Sequence, residues 1–137
     1  MLFTFDGRSM LLQTLLTPDD PDIVPLGTLW LALVNAPVKP TDDGDSLPEL
    51  AATSYTRVGI GALESYWTLT AHGVLSNATA VYWPAATTDW GYVSGWALCD
   101  KAQSGLVIAG GDFVEALSVA TQDVVALAPG MLVLEIA

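Results

Sequence analysis

Positive charge is the scarcest thing in this sequence. Four Lys and Arg stand against fifteen Asp and Glu, a formal net charge of -11 over 137 residues. Four cations cannot build the basic surface that phosphate backbones require, so nucleic acid is excluded as a partner. Cysteine is nearly absent too. Cys99 stands alone, which excludes a disulfide framework. One Cys and one His, His72, cannot complete a four-ligand structural zinc site. The thiol instead suits packing as a small apolar residue in a reducing setting. Long apolar runs are missing as well. A membrane span takes about 20 consecutive apolar residues; the run Leu26 to Val34 is too short, and Val124 to Ala137 is broken by Pro129, Gly130 and Glu135. No membrane association is expected. Asp6 and Arg8 interrupt the N-terminus and no small-residue cleavage site follows Leu16, so it does not read as a secretory signal. Without export, the sequon Asn77-Ala78-Thr79 carries no weight. No repeat and no low-complexity tract is present.

What the chain does have is apolar bulk. Hydrophobic residues make up 52% and charged residues only 14%, against about 25% charged in an average domain. That excludes disorder. The length fits one domain spanning residues 1–137, and folding removes roughly two-thirds of the unfolded chain's surface from water. With so few charges, much of the remaining surface must be Ser, Thr, Gly, Ala and apolar atoms. Such a chain is expected to complete its burial against other chains.

Residues 7–16 have helical character, with Met10, Leu11, Leu12, Leu15 and Leu16 as the apolar set. Pro18 and Pro21 stop that helix. Thr28 to Val34 is apolar on both alternating faces and reads as a strand buried on both sides. A long acidic loop follows over 35–53, holding Pro37, Pro40, Asp42, Asp43, Gly44, Asp45 and Pro48. Loops of that length are commonly functional or interfacial, and with no core pattern this one is expected to be a reaching arm. Short strands are then expected at 54–60, 66–70, 78–83, 92–99, 106–109, 113–118, 123–127 and 131–136, rich in Val, Thr, Tyr and Trp. The fold class is mainly β: a compact β-sandwich or jelly-roll-like barrel with a short N-terminal helix.

Catalytic constellations are sparse. His72 lies in a turn, and no nucleophile elbow supports a triad around it. Gly59-Ile60-Gly61-Ala62-Leu63-Glu64 begins like a dinucleotide fingerprint, but Glu64 replaces the third glycine and no helix follows. The clusters Asp19-Asp20-Pro21-Asp22 and Asp42-Asp43-Gly44-Asp45 lack EF-hand spacing and its closing glutamate. They read as solvated loop faces or as a negative patch for a cationic partner. Asp89, Asp112 and Glu115 supply carboxylates of the type glycosidases pair, at separations the sequence does not fix. No catalytic residue, cofactor or metal is therefore expected, and the chain does not read as an enzyme. The tryptophans carry more information. Trp83-Pro84-Ala85-Ala86-Thr87-Thr88-Asp89-Trp90-Gly91 puts two indoles either side of a proline turn. They are either packing anchors or a sugar-stacking platform; exposed indoles around a groove would favour sugar, buried ones a scaffold.

These segments together resemble the small virion structural proteins of tailed bacteriophages, of tail fibre, minor tail or capsid decoration type. The strand Gly27-Thr28-Leu29-Trp30-Leu31-Ala32-Leu33, the motif Tyr55-Thr56-Arg57-Val58, the segment Trp83 to Gly91, the strand Trp96-Ala97-Leu98-Cys99-Asp100-Lys101-Ala102 and the hairpin Ala128-Pro129-Gly130-Met131-Leu132 carry the resemblance. The Pro84 to Gly91 portion is its most specific part. The resemblance covers about Leu11 to Ile136 and departs from the pattern in the Gly-rich stretch after Arg57 and at Met131, where Asp is common. It implies a non-enzymatic structural protein mounted on the tail or capsid exterior, acting through contacts with other virion proteins. It also implies a virion location after assembly in the host cytoplasm. A host-surface carbohydrate-binding receptor module is the alternative.

The structural and interface candidates are Trp30, Arg57, Trp83, Pro84, Trp90, Gly91 and Trp96. Arg57, on a strand in a cation-poor chain, is expected to pair with a carboxylate in bidentate fashion. Trp90 is expected to be a packing anchor. The doubly apolar strand at 28–34, and the nearly as apolar 131–136, call for a neighbour. A homo-oligomer is expected, trimeric if it follows phage decorations and fibres.

Overall fold

The computed structural model describes residues 2–4, 28–61, 67–69 and 74–135. The ten strands of these residues are, in chain order, β1 (Leu2–Phe3), β2 (Thr28–Val34), β3 (Val58–Gly61), β4 (Trp67–Leu69), β5 (Val74–Asn77), β6 (Val81–Tyr82), β7 (Gly91–Cys99), β8 (Val107–Val119), β9 (Ala126–Leu127) and β10 (Val133–Glu135). They form a five-stranded sheet in the order β1-β8-β7-β2-β3, a three-stranded sheet β10-β5-β4 and a two-stranded ribbon β6-β9. Every pairing is antiparallel. The fold is mainly β. The expected helix at 7–16 lies outside the described residues, as does His72. The barrel expectation is corrected: the large sheet ends on β1 and β3, which do not pair with each other.

β2 forms where the sequence is apolar at every position from Leu29 to Val34, and its alternation feeds two cores. Leu29, Leu31 and Leu33 enter the main cluster with Val81, Trp83, Val125, Leu127, Leu132 and Leu134 from the smaller sheets and their flanks. Ala32 and Val34 face the other way, into a second cluster with Leu47, Ala97, Cys99 and Val107, against which Trp30 and Val38 pack. Fully burying each Leu is worth about 2 kcal/mol. The expectation that β2 needs a neighbouring chain is thus corrected, because this chain covers both of its faces. The acidic loop contributes Leu50 to one cluster and Leu47 and Val38 to the other, so it packs on the sheet rather than reaching out as an arm. Leu47 and Leu50 are buried. Asn35 N–H donates to Pro48 O at 3.0 Å and Leu50 N–H to Leu33 O at 3.1 Å, while Glu49 bridges to Val34. Residues 49–50 thereby continue the sheet alongside β2 where β3 leaves it.

The β7–β8 hairpin is the backbone of the large sheet. Its register slips sharply: Val93 faces Leu117 and Gly95 faces Asp112, so Ser94 alone opposes Phe113 to Ala116. The segment read as two strands, 106–109 and 113–118, is one strand with a wide bulge, which turns Val114 fully outward. Beyond the bulge, Gly110 and Gly111 permit two close approaches. A Cβ on Gly111 would fall 2.8 Å from the Trp96 indole, and one on Gly110 2.6 Å from the Val38 side chain. The loop and an indole are both seated on bare backbone.

Candidate functional site

The polar centre of the molecule is built around Arg57. Tyr55 and Arg57 are two residues apart, and both reach Glu49. Arg57 Nε donates to Glu49 Oε2 at 2.9 Å and Nη2 to Oε1 at 3.0 Å, the bidentate pair expected of it. Nη1 donates to the carbonyls of Lys101 and Ser104, both at 2.9 Å, and Nη2 also to Gly44 O at 3.3 Å. The guanidinium is thereby bound to the loop, to the turn between β7 and β8 and to the approach to β3. Tyr55 completes the network: its hydroxyl donates to Glu49 Oε2 at 2.6 Å and accepts from Leu33 N–H at 2.9 Å. Burial opposes the Arg57 charge most strongly of any single influence, but the Glu49 hydrogen bonds together with the charge interactions of Cys99, Glu49 and Tyr55 hold its pKa above the ordinary value. Burial, then the adjacent Glu49, push Tyr55 upward.

An open cleft of about 230 Å3 lies over this network, bordered by Glu49, Tyr55, Arg57, Gln103 and Ser104. Its charged groups face one another rather than the cleft. The N–H groups of Arg57 are engaged by Glu49 and three carbonyls, a fastening rather than a site with a free donor. The acidic loop is satisfied in the same internal way. Asp42 Oδ2 accepts from Lys39 N–H at 2.7 Å, and Asp43 Oδ1 accepts from the N–H groups of Asp45 and Ser46 at 2.9 and 2.8 Å. The backbone donors of Ser46 and Asp45 hold the Asp43 carboxyl below its ordinary range. Among the described residues no group of three or more His, Cys, Asp and Glu is placed to hold a metal; Asp19 to Asp22 lie outside them. Cys99 is buried in the second cluster, and burial pushes its thiol up to about 12.

The segment from Trp83 to Gly91 is stapled along residues 119–125. Trp83 N–H donates to Val125 O, Ala86 N–H to Asp123 O and Trp90 N–H to Val119 O. Asp89 Oδ1 accepts from Thr121 N–H and Oγ1 at 2.8 and 2.9 Å, which lowers its pKa. Trp83 is 1% exposed, and its Nε1 has no partner. Trp90 is buried with its Nε1 on Ser54 Oγ at 2.7 Å and its ring edge-to-face with Tyr55, centroids 5.6 Å apart. Gly91 follows at φ 78°, a left-handed conformation that glycine adopts without strain. Pro84 is exposed, Trp30 half-buried and Trp96 buried against Gly111. The indoles of Trp83 and Trp90 therefore line no groove. Exposed rings belong instead to Tyr82 and Tyr92.

Sequence reasoning named Tyr55 only within the Tyr55-Thr56-Arg57-Val58 motif and Asn77 only as a sequon, and it did not single out Glu49 or Ser54. Tyr55 and Arg57 at i and i+2 point to one side of an extended segment, a signal that was available. Glu49 is hidden among loop acids and has none. Asn77 is buried with its amide fully used: Nδ2 donates to Thr79 O and Ala128 O, and Oδ1 accepts from Leu132 N–H.

The family model described as Podophage GP4 fiber I protein gp80 matches residues 11–135. The chain belongs to this phage fibre family. The match spans the Arg57 network, the Trp83 to Gly91 segment and all strands except β1, so the fibre-family region takes in both polar fastenings of the fold. No curated protein matches the chain. Membership carries a virion setting and a structural role in the tail.

Proposed function

We propose that this chain is a non-enzymatic structural component of the phage tail, held there by protein–protein contacts and present as a homo-oligomer. In this reading the large sheet and the two small ones stack as a sandwich, and the chain joins the particle after folding in the host cytoplasm. The observation that carries the proposal is where the chemistry-bearing side chains point. Arg57, Glu49, Tyr55 and Asn77 bond to one another or to backbone, and Trp83, Trp90 and Trp96 are core. A scaffold uses such groups to fix its own geometry, whereas a receptor module or an enzyme presents them to a ligand. The buried indoles argue for scaffold over sugar stacking, and the fibre family favours the tail over capsid decoration. Quantitative mass spectrometry of gradient-purified particles tests this. A fixed, multi-copy stoichiometry relative to the tail proteins is expected, and absence from intact particles would refute the role.

A further inference from the structure

Outward positions of the β6–β9 ribbon and of the start of β10 make an apolar strip. In the β6–β9 ribbon Val81 and Leu127 point into the core, and their register neighbours Tyr82 and Ala126 point out. The alternation continues through the Trp83–Val125 backbone bond, so Pro84 and Val124 are out as well. At the other end Met131 Sδ accepts from Ala128 N–H at 3.2 Å, which joins the ribbon to β10. There Leu132 and Leu134 are buried and Met131 and Val133 are exposed. Tyr82 is 63% exposed, Val124 56% and Met131 55%. With Pro84, Ala126, Ala128 and Val133 they expose roughly 500 Å2, at the upper end of what monomers show and more than half of the roughly 800 Å2 on one side of a standard interface.

We infer that this strip is where a second copy of the chain docks, an inference that rests on the homo-oligomer reading above. Charge decides on which face two copies can meet. The chain carries -11, so copies meeting on most surfaces bring carboxylates together. The strip itself holds no acid or base, and beyond about 8 Å the repulsion is screened. The other exposed apolar group, around Val114, Leu117 and Tyr92, differs: Asp112 and Glu115 lie within it on β8, and two copies meeting there would oppose like charges. The exposed cations Lys39 and Lys101 lie on the loop and the β7–β8 turn, away from the strip.

Sedimentation velocity of the full chain from about 1 to 100 μM tests the inference. Val124→Asp and Val124→Lys shift the net charge in opposite directions, so a contact made by the apolar strip is weakened at least tenfold by both. Val114→Asp, at a more exposed position outside the strip, leaves the association unchanged. Tyr82→Glu, on the partner strand, repeats the test with a different backbone, and melting curves establish that each variant is folded. Oligomers that survive all three strip variants overturn the assigned face while leaving self-association standing. Dissociation by Val114→Asp alone moves the interface to the bulge and also overturns it. A wild-type chain that stays monomeric at 100 μM overturns both this inference and the homo-oligomer reading.

Discussion

At the scale of single residues, two tryptophans in one segment do different work. Trp90 Nε1 is bonded to Ser54 Oγ, while Trp83 Nε1 is buried without a partner. Replacing Trp90 by Phe removes its bond to Ser54 Oγ, which keeps only Thr88; replacing Trp83 by Phe removes an orphan donor that already costs free energy. Trp83→Phe is therefore expected to cost about 1 kcal/mol less than Trp90→Phe, and urea unfolding of the two variants measures the difference. Cys99 gives a pH prediction. Its folded thiol titrates near 12 against an unfolded value of 9.0, because burial disfavours the thiolate. A folded pKa raised in this way leaves stability intact below pH 9 and removes it as the pH climbs from 9 toward 12. Denaturant midpoints between pH 8 and 11 are expected to fall less steeply for Cys99→Ala than for wild type, with a residual slope from the raised Tyr55 hydroxyl.

At the scale of elements, one ion pair reinforces the long loop. Glu49 and Arg57 close the return of the loop to β2, and Arg57 ties it to the β7–β8 turn beside the Gly44–Gly105 backbone bond and the Ser104–Asp45 side-chain bond. Arg57→Met leaves Glu49 and Tyr55 without their cation and should cost about 3 kcal/mol. The double variant Arg57→Met/Glu49→Leu should recover part of that loss, since no carboxylate is left unpaired. Chemical denaturation of the full cycle checks both numbers, and a cycle without coupling would make the pair incidental. The same element shows what the sequence discloses. β2 and β7 were legible because Leu29 to Val34 and Trp96 to Cys99 are apolar at every position. β5 was not, because Val74 to Asn77 is short, follows Gly73 in the sequence and ends on Asn77, a buried anchor that looks like a loop residue. β3 begins at Val58 rather than residue 54 because Ser54, Tyr55 and Arg57 are engaged in side-chain fastenings instead of a ladder. The loop's role was hidden for a related reason. Leu47, Glu49 and Leu50 are too few to make a pattern, and what places them is contact with β2, more than ten residues away in sequence.

At the scale of the whole molecule, a cation-poor chain has folded its few polar anchors inward and left neutral apolar surface outside. Both faces of β2 are covered from within, so the exposed apolar positions lie on the ribbon and β10 and, among carboxylates, at the β8 bulge rather than on β2. That distribution, with membership of a phage fibre family, is the basis for reading the chain as a tail building block. Cryo-electron microscopy of the intact particle tests this most directly. The account predicts that density for the five-stranded sheet and its stapled ribbon is found on the tail, in repeated copies in contact with neighbouring subunits. Density for this fold on the capsid shell, or a complete tail reconstruction with no place for it, would contradict the account.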